Sequence, residues 1–413
     1  MSRRPLIAFL AQLPVYPPPL VGSMIRITRL VRELNEQFDI AFVCPADVET
    51  KDLVEHWDMG KRLARVVAVP LAKMPPDQDA WWGSTLSCLK AAIVTSLPGQ
   101  PPRIFDVPWS GQMVDATRLF LREFDVRAVW ATRTWTAEIA RAAGVKRIIV
   151  DVDDFQGALL QKELDESPWY KRKALHRIQV KNLIRYERRL LDRYHSVAIS
   201  KEEDAAFLDV STTERIHLVP NGVDIPETIA RTRVRPHELL FVGTLSWPPN
   251  SQAIRQLVAE ILPAVQAEVP AATLNVAGRG PAEELRSLLT RPDVELHESP
   301  LSLTDYYSRA AIAVAPLERG GGTSIKVLEG LAYGLPTVAT PTAARGLALE
   351  HGRQLLIASS PREFAAACIR LLNNPSEAQA LGEAGRREVL RRFSWQASGA
   401  RAREAVDRLI SSP

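Results

Sequence analysis

The sequence predicts an α/β protein made of two doubly wound parallel sheets. Three observations carry that expectation. The chain has 413 residues, too many for one ordinary core and natural for two domains. Short apolar runs alternate with helical patterns almost throughout, and uninterrupted apolar strands belong to parallel sheets covered on both faces. The alternation then restarts after a charged stretch without apolar periodicity, "ETIARTRVRPH" from Glu227 to His237, which reads as a linker.

The elements follow in order. Leu6 to Leu10 forms the first strand, and a proline-rich loop, Pro14 to Pro19, leads past Gly22 into a helix carrying Ile25, Leu30 and Leu34. Ile40 to Val43, Val126 to Trp130, Arg147 to Val150 and Ser196 to Ile199 repeat the strand pattern. The second half brings Glu238 to Leu245, a helix over 252–267, "ATLNVAG" ending at Gly278, a helix after Pro281, then "AAIAVAPL" and "PTVAT". Domains are expected at 1–226 and 238–385, with 227–237 between them and a terminal helical segment at 386–413. Residues 74–110, with Trp81, Trp82, Trp109 and many prolines, read as an inserted lid or loop.

Composition excludes several classes. A net charge of +4 on a chain with 24% charged residues gives no argument for nucleic acid as a partner. Cys44, Cys88 and Cys368 are odd in number and show no metal-ligand spacing, the pattern of reduced cytosolic thiols. Arg3 and Arg4 precede an apolar run, but that run holds Gln12, ends at Pro14 and reads as a buried strand rather than a signal peptide. No stretch approaches the roughly 20 apolar residues of a membrane span, so a soluble or peripheral cytoplasmic protein is expected. His176, His195, His217 and His297 form no triad or metal spacing and read as structural.

The densest chemistry lies in "APLERGGGTSIKVLEGLAYGLPTVAT", Ala315 to Thr340. Gly320 to Gly322 lets the backbone turn and approach a ligand without a Cβ in the way. Thr323 or Ser324 is expected to cap the following helix, whose buried stripe is Ile325, Leu328 and Ala332. Gly334 should end that helix, and Pro336 prevents its continuation. A helix start with free N–H groups favours anions. Lys326 in its first turn is unfavourable for the helix alone and makes sense beside a phosphate. Glu329 would suit a vicinal diol such as a ribose. The plain alternative is a tight turn with an exposed lysine and glutamate.

Together with its neighbours, this segment resembles the retaining family 4 glycosyltransferases of GT-B fold. The resemblance rests on "PVYPPPLVGSMIRITRLVREL", "LVPNGVD", "FVGTLSWPPN", "LNVAGRGP", the segment above and "RRFSWQA", in that family's order over nearly the whole chain. It implies two Rossmann-like domains facing across a cleft, the first binding the acceptor and the second the nucleotide sugar, with the terminal helix crossing back to the first. It also implies a nucleotide-sugar donor, a glycan or lipid-linked acceptor, retention at the anomeric carbon and no metal or other cofactor. Glu329 matches the second glutamate of the family's E-x7-E pattern, the ribose ligand. Gly322, Thr323 and Ser324 match positions near the diphosphate, and Gly22 and Ser23 match the N-terminal glycine-rich loop.

The chain departs from that pattern in ways that reassign roles. Gly321 stands where the first glutamate belongs, with Glu318 three residues earlier as a possible substitute. Thr244 and Pro249 occupy the usual Arg and Lys phosphate clamp, so Lys326, then Arg319 and Arg279, become the expected cations. The family's donor-side histidine falls near Asp153. Lys326, Glu318 and Asp153 are therefore the expected catalytic residues, in a variant branch carrying GGGTxxKxLE. A nucleotide-sugar 2-epimerase of the same fold and a non-catalytic scaffold of a polysaccharide assembly complex are the competing readings.

Two further stretches carry charge. "IIVDVDDF" places Asp151, Asp153 and Asp154 at a strand end, where carboxylates can hold Mg²⁺ or Mn²⁺ in another glycosyltransferase class. Capping of the next helix and contact with sugar or acceptor hydroxyls fit better. Residues 171–193, "KRKALHRIQVKNLIRYERRLLDR", form a long basic helix whose Leu175, Ile178, Leu183, Ile184, Leu190 and Leu191 can face the domain. Its basic side is either solvated or set against anionic lipid headgroups.

Overall fold

A computed structural model of the chain describes residues 4–11, 22–46, 49–70, 110–166, 173–209, 213–228, 234–319 and 323–412. The expected insert at 74–110 lies, all but Ser110, outside them, as do Gly320 to Gly322. The chain divides into two compact units, Met1–Pro220 with Ser398–Pro413, and Asn221–Ala397.

The first unit holds seven parallel strands: β1 (Leu6–Leu10), β2 (Asp39–Ala46), β3 (Arg65–Pro70), β4 (Val126–Thr132), β5 (Ile148–Val152), β6 (Ser196–Ile199) and β7 (Ile216–Leu218). Their order is β3-β2-β1-β4-β5-β6-β7, so successive crossovers run outward from β1 in one direction and then in the other. Phe9 of β1 stacks on Phe42 of β2 and Trp130 of β4, with centroids 5.8 and 6.4 Å apart.

The Gly22–Asn35 helix buries Ile27, Leu30, Val31 and Leu34, an i, i+3, i+4, i+7 stripe. Ile25 stands outside that stripe and is exposed. Ala402, Ala405, Val406 and Leu409 of the last helix, Trp395–Ser411, join the same core. Close approach explains Gly399, because a Cβ there would come within 2.4 Å of the Glu33 side chain.

The second unit holds β8 (Glu238–Thr244), β9 (Thr273–Arg279), β10 (Val294–Glu298), β11 (Ile312–Ala315), β12 (Thr337–Ala339) and β13 (Leu356–Ile357). The order β10-β9-β8-β11-β12-β13 repeats the doubly wound scheme, with its switch point between β8 and β11. The two edge strands escape the apolar-run criterion. β10 buries Val294 alone among charged neighbours, and β13 is two residues long.

The helix expected over 252–267 starts earlier, with Pro248 and Pro249 in its first turn, where the missing N–H costs nothing. It widens into a π-helical turn, Leu257–Ile261, before Leu262–Glu268. Pro263 withdraws the donor that an α-helix would aim at the Ala259 carbonyl.

One residue before their ends, β8 and β9 pair two glycines, Gly243 opposite Gly278. A Cβ on Gly278 would lie 1.8 Å from the Gly243 carbonyl oxygen, a backbone atom held in the ladder. Gly278→Ala is therefore expected to cost about 3 kcal/mol, read from the urea midpoint at unchanged m-value. A midpoint equal to that of the unsubstituted protein would contradict this close approach.

Candidate functional site

The site is assembled at the carboxyl edge of the second unit's sheet, at the β8/β11 switch point. The Ile325–Ala332 helix buries Val327, Leu328, Leu331 and Ala332, and Ile325 is half-buried. Gly330 lets it lie against β11, since a Cβ there would stand 2.8 Å from that of Ala313. The helix ends at Gly334, whose φ is 68°, with Gly334 N–H donating to Leu331 O and Leu335 N–H to Gly330 O. Packing thus fixes the helix face that carries Lys326 and Glu329, three residues apart and neighbours on its surface.

Lys326 is half-buried. Its Nζ donates to Asn250 Oδ1 and lies 4.4 Å from the centroid of Phe241. Asn250 Nδ2 in turn donates to the Thr244 carbonyl at 2.8 Å. Gly243 leaves space for this pair, as a Cβ there would meet Asn250 Nδ2 at 2.7 Å and Lys326 Nζ at 3.3 Å. Burial pushes the Lys326 ammonium down to about 7, against the opposing pull of the Glu329 carboxylate.

Glu329 accepts a 2.8 Å hydrogen bond from the Tyr307 hydroxyl on its Oε2. Tyr307 comes from the Thr304–Arg309 helix and stacks on Tyr333 with centroids 4.9 Å apart and planes at 13°. The Tyr333 hydroxyl lies 3.0 Å from Thr304 Oγ1. Burial raises the Glu329 carboxyl above its ordinary value, the Tyr307 hydrogen bond and Lys326 pull it down, and Asp224 adds to the rise.

The expected helix cap is corrected. Ser324 occupies the N-cap position with ψ of 89°, short of the extended geometry that aims a cap oxygen at the helix, and its hydroxyl makes no cap bond. Among the described residues, Thr323 Oγ1 and Ser324 Oγ are buried and without a hydrogen-bond partner.

The remaining expected residues are dispersed. Glu318 is exposed, and its carboxylate receives the side-chain amides of Gln252 at 2.8 Å and Gln256 at 2.7 Å. Thr244 and Arg279 are the paired last residues of β8 and β9, both exposed, and Arg319 is exposed after β11. Gly321 and Gly322 lie outside the described residues. Gly22 and Ser23 open the first unit's Gly22–Asn35 helix, and Asp153 follows β5 in that same unit.

The acidic run is also rearranged. Arg26 grips Asp151 through two contacts of 3.1 and 2.6 Å, and Trp130 Nε1 donates to Asp151 at 3.3 Å. Lys201 binds Asp154 at 2.7 Å, and Ser200 Oγ donates to the Asp153 carbonyl. Among the described residues these carboxylates do not converge as ligands of one ion; the sole grouping of that kind is Asp52, Glu55 and His56. The expected capping role passes to Glu187, which accepts the backbone N–H groups of Gln156 and Gly157 at the start of the next helix.

The basic helix, Lys173–Arg188 among the described residues, buries Val180, Leu183 and Tyr186, while Ile178 points outward. Arg177, Lys181 and Arg185 are exposed beside Ile178, whereas Arg188 pairs with Asp209 and Arg189 with Asp192. Arg193 is drawn to the buried Glu138. Among the described residues no helix is long and apolar enough to cross a membrane.

Asn250, Phe241, Tyr307 and Tyr333 were not expected at the site. Asn250 and Phe241 stand within "FVGTLSWPPN", and Tyr333 closes the helix that carries Lys326 and Glu329. Tyr307 sits in "DYYSRA", which has no motif to single it out.

Residues 236–374 match the sequence profile of glycosyl transferases group 1. A protein from the cps region of Klebsiella pneumoniae is 31% identical over 146 residues, covering 33% of this chain and 38% of its own. The glycogen synthase of Mycobacterium tuberculosis is 29% identical over 198 residues, covering 44% and 45%. The chain thus spans less than half the length of either relative. Across 98% of this chain and 99% of its own, the Anabaena HepE protein in complex with UDP and glucose has the same fold, with a TM-score of 0.63 at 14% identity. The two-sheet α/β architecture is that of the GT-B glycosyltransferases.

The buried ammonium has a thermodynamic signature. Its folded-state value near 7 lies below the ordinary lysine value of 10.5. Between those values the unfolded chain holds one proton more, so this group makes stability rise with pH across that window, and below about pH 7 its full cost is felt. Lys326→Met removes the titration. The melting temperature of the unsubstituted protein should therefore gain on that of Lys326→Met between pH 7 and pH 10. A pH-independent difference would show that Lys326 ionises as it does in water.

Proposed function

We propose that the chain transfers a sugar from a nucleoside-diphosphate sugar to a glycan or lipid-linked acceptor in glycoconjugate or polysaccharide synthesis. The observation that carries this is the pairing of a desolvated Lys326 with two unbonded hydroxyls, Thr323 and Ser324, at the start of a helix. That is a set of donors and positive charge suited to an anion, next to a carboxylate suited to a ribose diol. The match of residues 236–374 supports the same reading.

As the bond from the anomeric carbon to the diphosphate breaks, negative charge gathers on the leaving phosphate oxygens. Helix-start N–H groups, the Thr323 and Ser324 hydroxyls and the protonated Lys326 stabilise that charge in a site poor in water. The bound diphosphate favours the charged lysine, so binding above pH 7 takes up a proton. Glu329 holds the nucleoside by its sugar ring. Transfer proceeds with retention and without a metal, and Asp151 and Asp154 serve Arg26 and Lys201 instead. The protein works in the cytoplasm, where Arg177, Lys181, Arg185 and Ile178 rest on anionic headgroups.

A thermal-shift screen of nucleoside diphosphates tests the donor site, since a ligand bound only by the folded state raises the melting temperature. Lys326→Ala should lower turnover at least about tenfold, and Glu329→Ala should mainly raise the donor KM. Near-normal turnover in the first variant would move the phosphate clamp elsewhere. Consumption of donor without any acceptor would favour the 2-epimerase reading, and failure of every nucleoside diphosphate to bind would favour the scaffold. Co-sedimentation with phosphatidylglycerol vesicles at low salt should be lost in the triple variant Arg177→Ala, Lys181→Ala, Arg185→Ala. Binding unchanged by the substitutions, or none at all, would remove the membrane contact.

A further inference from the structure

We propose that Tyr307 is a positioning residue that sets how tightly the site grips the ribose of its nucleotide, an inference that rests on the nucleotide reading above. The phenol is 2% exposed, and its hydroxyl is spent on Glu329 Oε2 at 2.8 Å, so it acts on a ligand through that carboxylate. The bond does two things. It fixes the carboxylate plane, because Tyr307 is itself locked by the stack on Tyr333 and by burial beneath β8 and β11. It also supplies a donor that only an accepting oxygen can use, which keeps Oε2 in the accepting state and leaves Oε1, with two lone pairs, to a vicinal diol.

Without that donor, Glu329 faces burial with Lys326 as its remaining support and Asp224 opposing its charge. A buried carboxyl that takes up a proton loses acceptor capacity, and a carboxyl free to rotate loses the alignment that a diol needs. The sensitivity of Glu329 to the ribose 2′-hydroxyl should therefore depend on a side chain that never meets the nucleotide. Tyr333 and Thr304 extend the arrangement one layer further, so the setting is built from two helices rather than from one residue.

The test is calorimetric titration with UDP, GDP and ADP, each against its 2′-deoxy form, on the full chain and on Tyr307→Phe. Phenylalanine retains the ring and its stack, and the melting temperature checks that the fold is kept. The unsubstituted protein should bind the ribose form more tightly than the deoxy form. In Tyr307→Phe the ribose form should weaken by about tenfold, the scale of a lost hydrogen bond to a charged group, while the deoxy form changes little. In a Glu329→Ala background, Tyr307→Phe should add nothing. Equal weakening of ribose and deoxy forms, or no weakening, would overturn the role of Tyr307 while leaving the nucleotide site in place. No binding by the unsubstituted protein would remove the nucleotide reading and this inference with it.

Discussion

The second unit is organised around the burial of one ammonium. Lys326 stands in the first turn of a helix, where the backbone dipole already presents positive charge, and its neighbours are an aromatic face and an amide oxygen. The attraction of Glu329 offsets part of that cost, but burial wins and the ammonium titrates near 7. Such a position lowers stability in the free protein. The Asn250 oxygen and the Phe241 face offset part of that cost, and under the proposed function a phosphate at the helix start would offset more.

The fold maintains this arrangement by removing Cβ atoms. Gly243 makes room for Asn250 and Lys326, Gly278 lets β9 run close to the end of β8, and Gly330 seats the helix on β11. None of the three has a positive φ among the values recorded for glycines. Their role is close approach rather than an unusual backbone. The strand order then does the rest, because crossovers that diverge from β8 and β11 leave their carboxyl ends uncovered by their own connections.

Much of this architecture was legible because it depends on short-range pattern. Strands buried on both faces, such as β6 at Ser196–Ile199, are continuous apolar runs, and the Gly334–Pro336 stop acts within one turn. The edge strands β10 and β13 were not legible, since half their surface belongs to solvent or they are too short to show a period. At the site, Lys326 and Glu329 could be found from their place after a glycine turn. Tyr307 could not, because its role exists only once a separate helix brings its hydroxyl against Glu329. The cap expected of Ser324 failed for a related reason: residue type permits a cap, but ψ decides whether the oxygen can reach the helix.

The charged groups of the two units meet different neighbours. In the first, Asp151 is met by Arg26, Asp154 by Lys201 and Glu187 by two backbone amides, although burial still holds the Asp154 carboxyl above its ordinary value and pushes that of Glu187 up to about 7. In the second, among the described residues, the Thr323 and Ser324 hydroxyls have no hydrogen-bond partner and Lys326 is bonded to an amide oxygen; buried groups without a partner also occur in the first unit, the Thr117 and Ser398 hydroxyls among them. Buried polar groups are normally satisfied, and a local excess of donors at a helix start is the complement of a phosphate. An acidic run looks like the more conspicuous chemical feature in the sequence, yet its Asp151 and Asp154 are each met by a cation. Under the proposed function, the Thr323 and Ser324 hydroxyls and the Lys326 ammonium are the groups left to meet a phosphate.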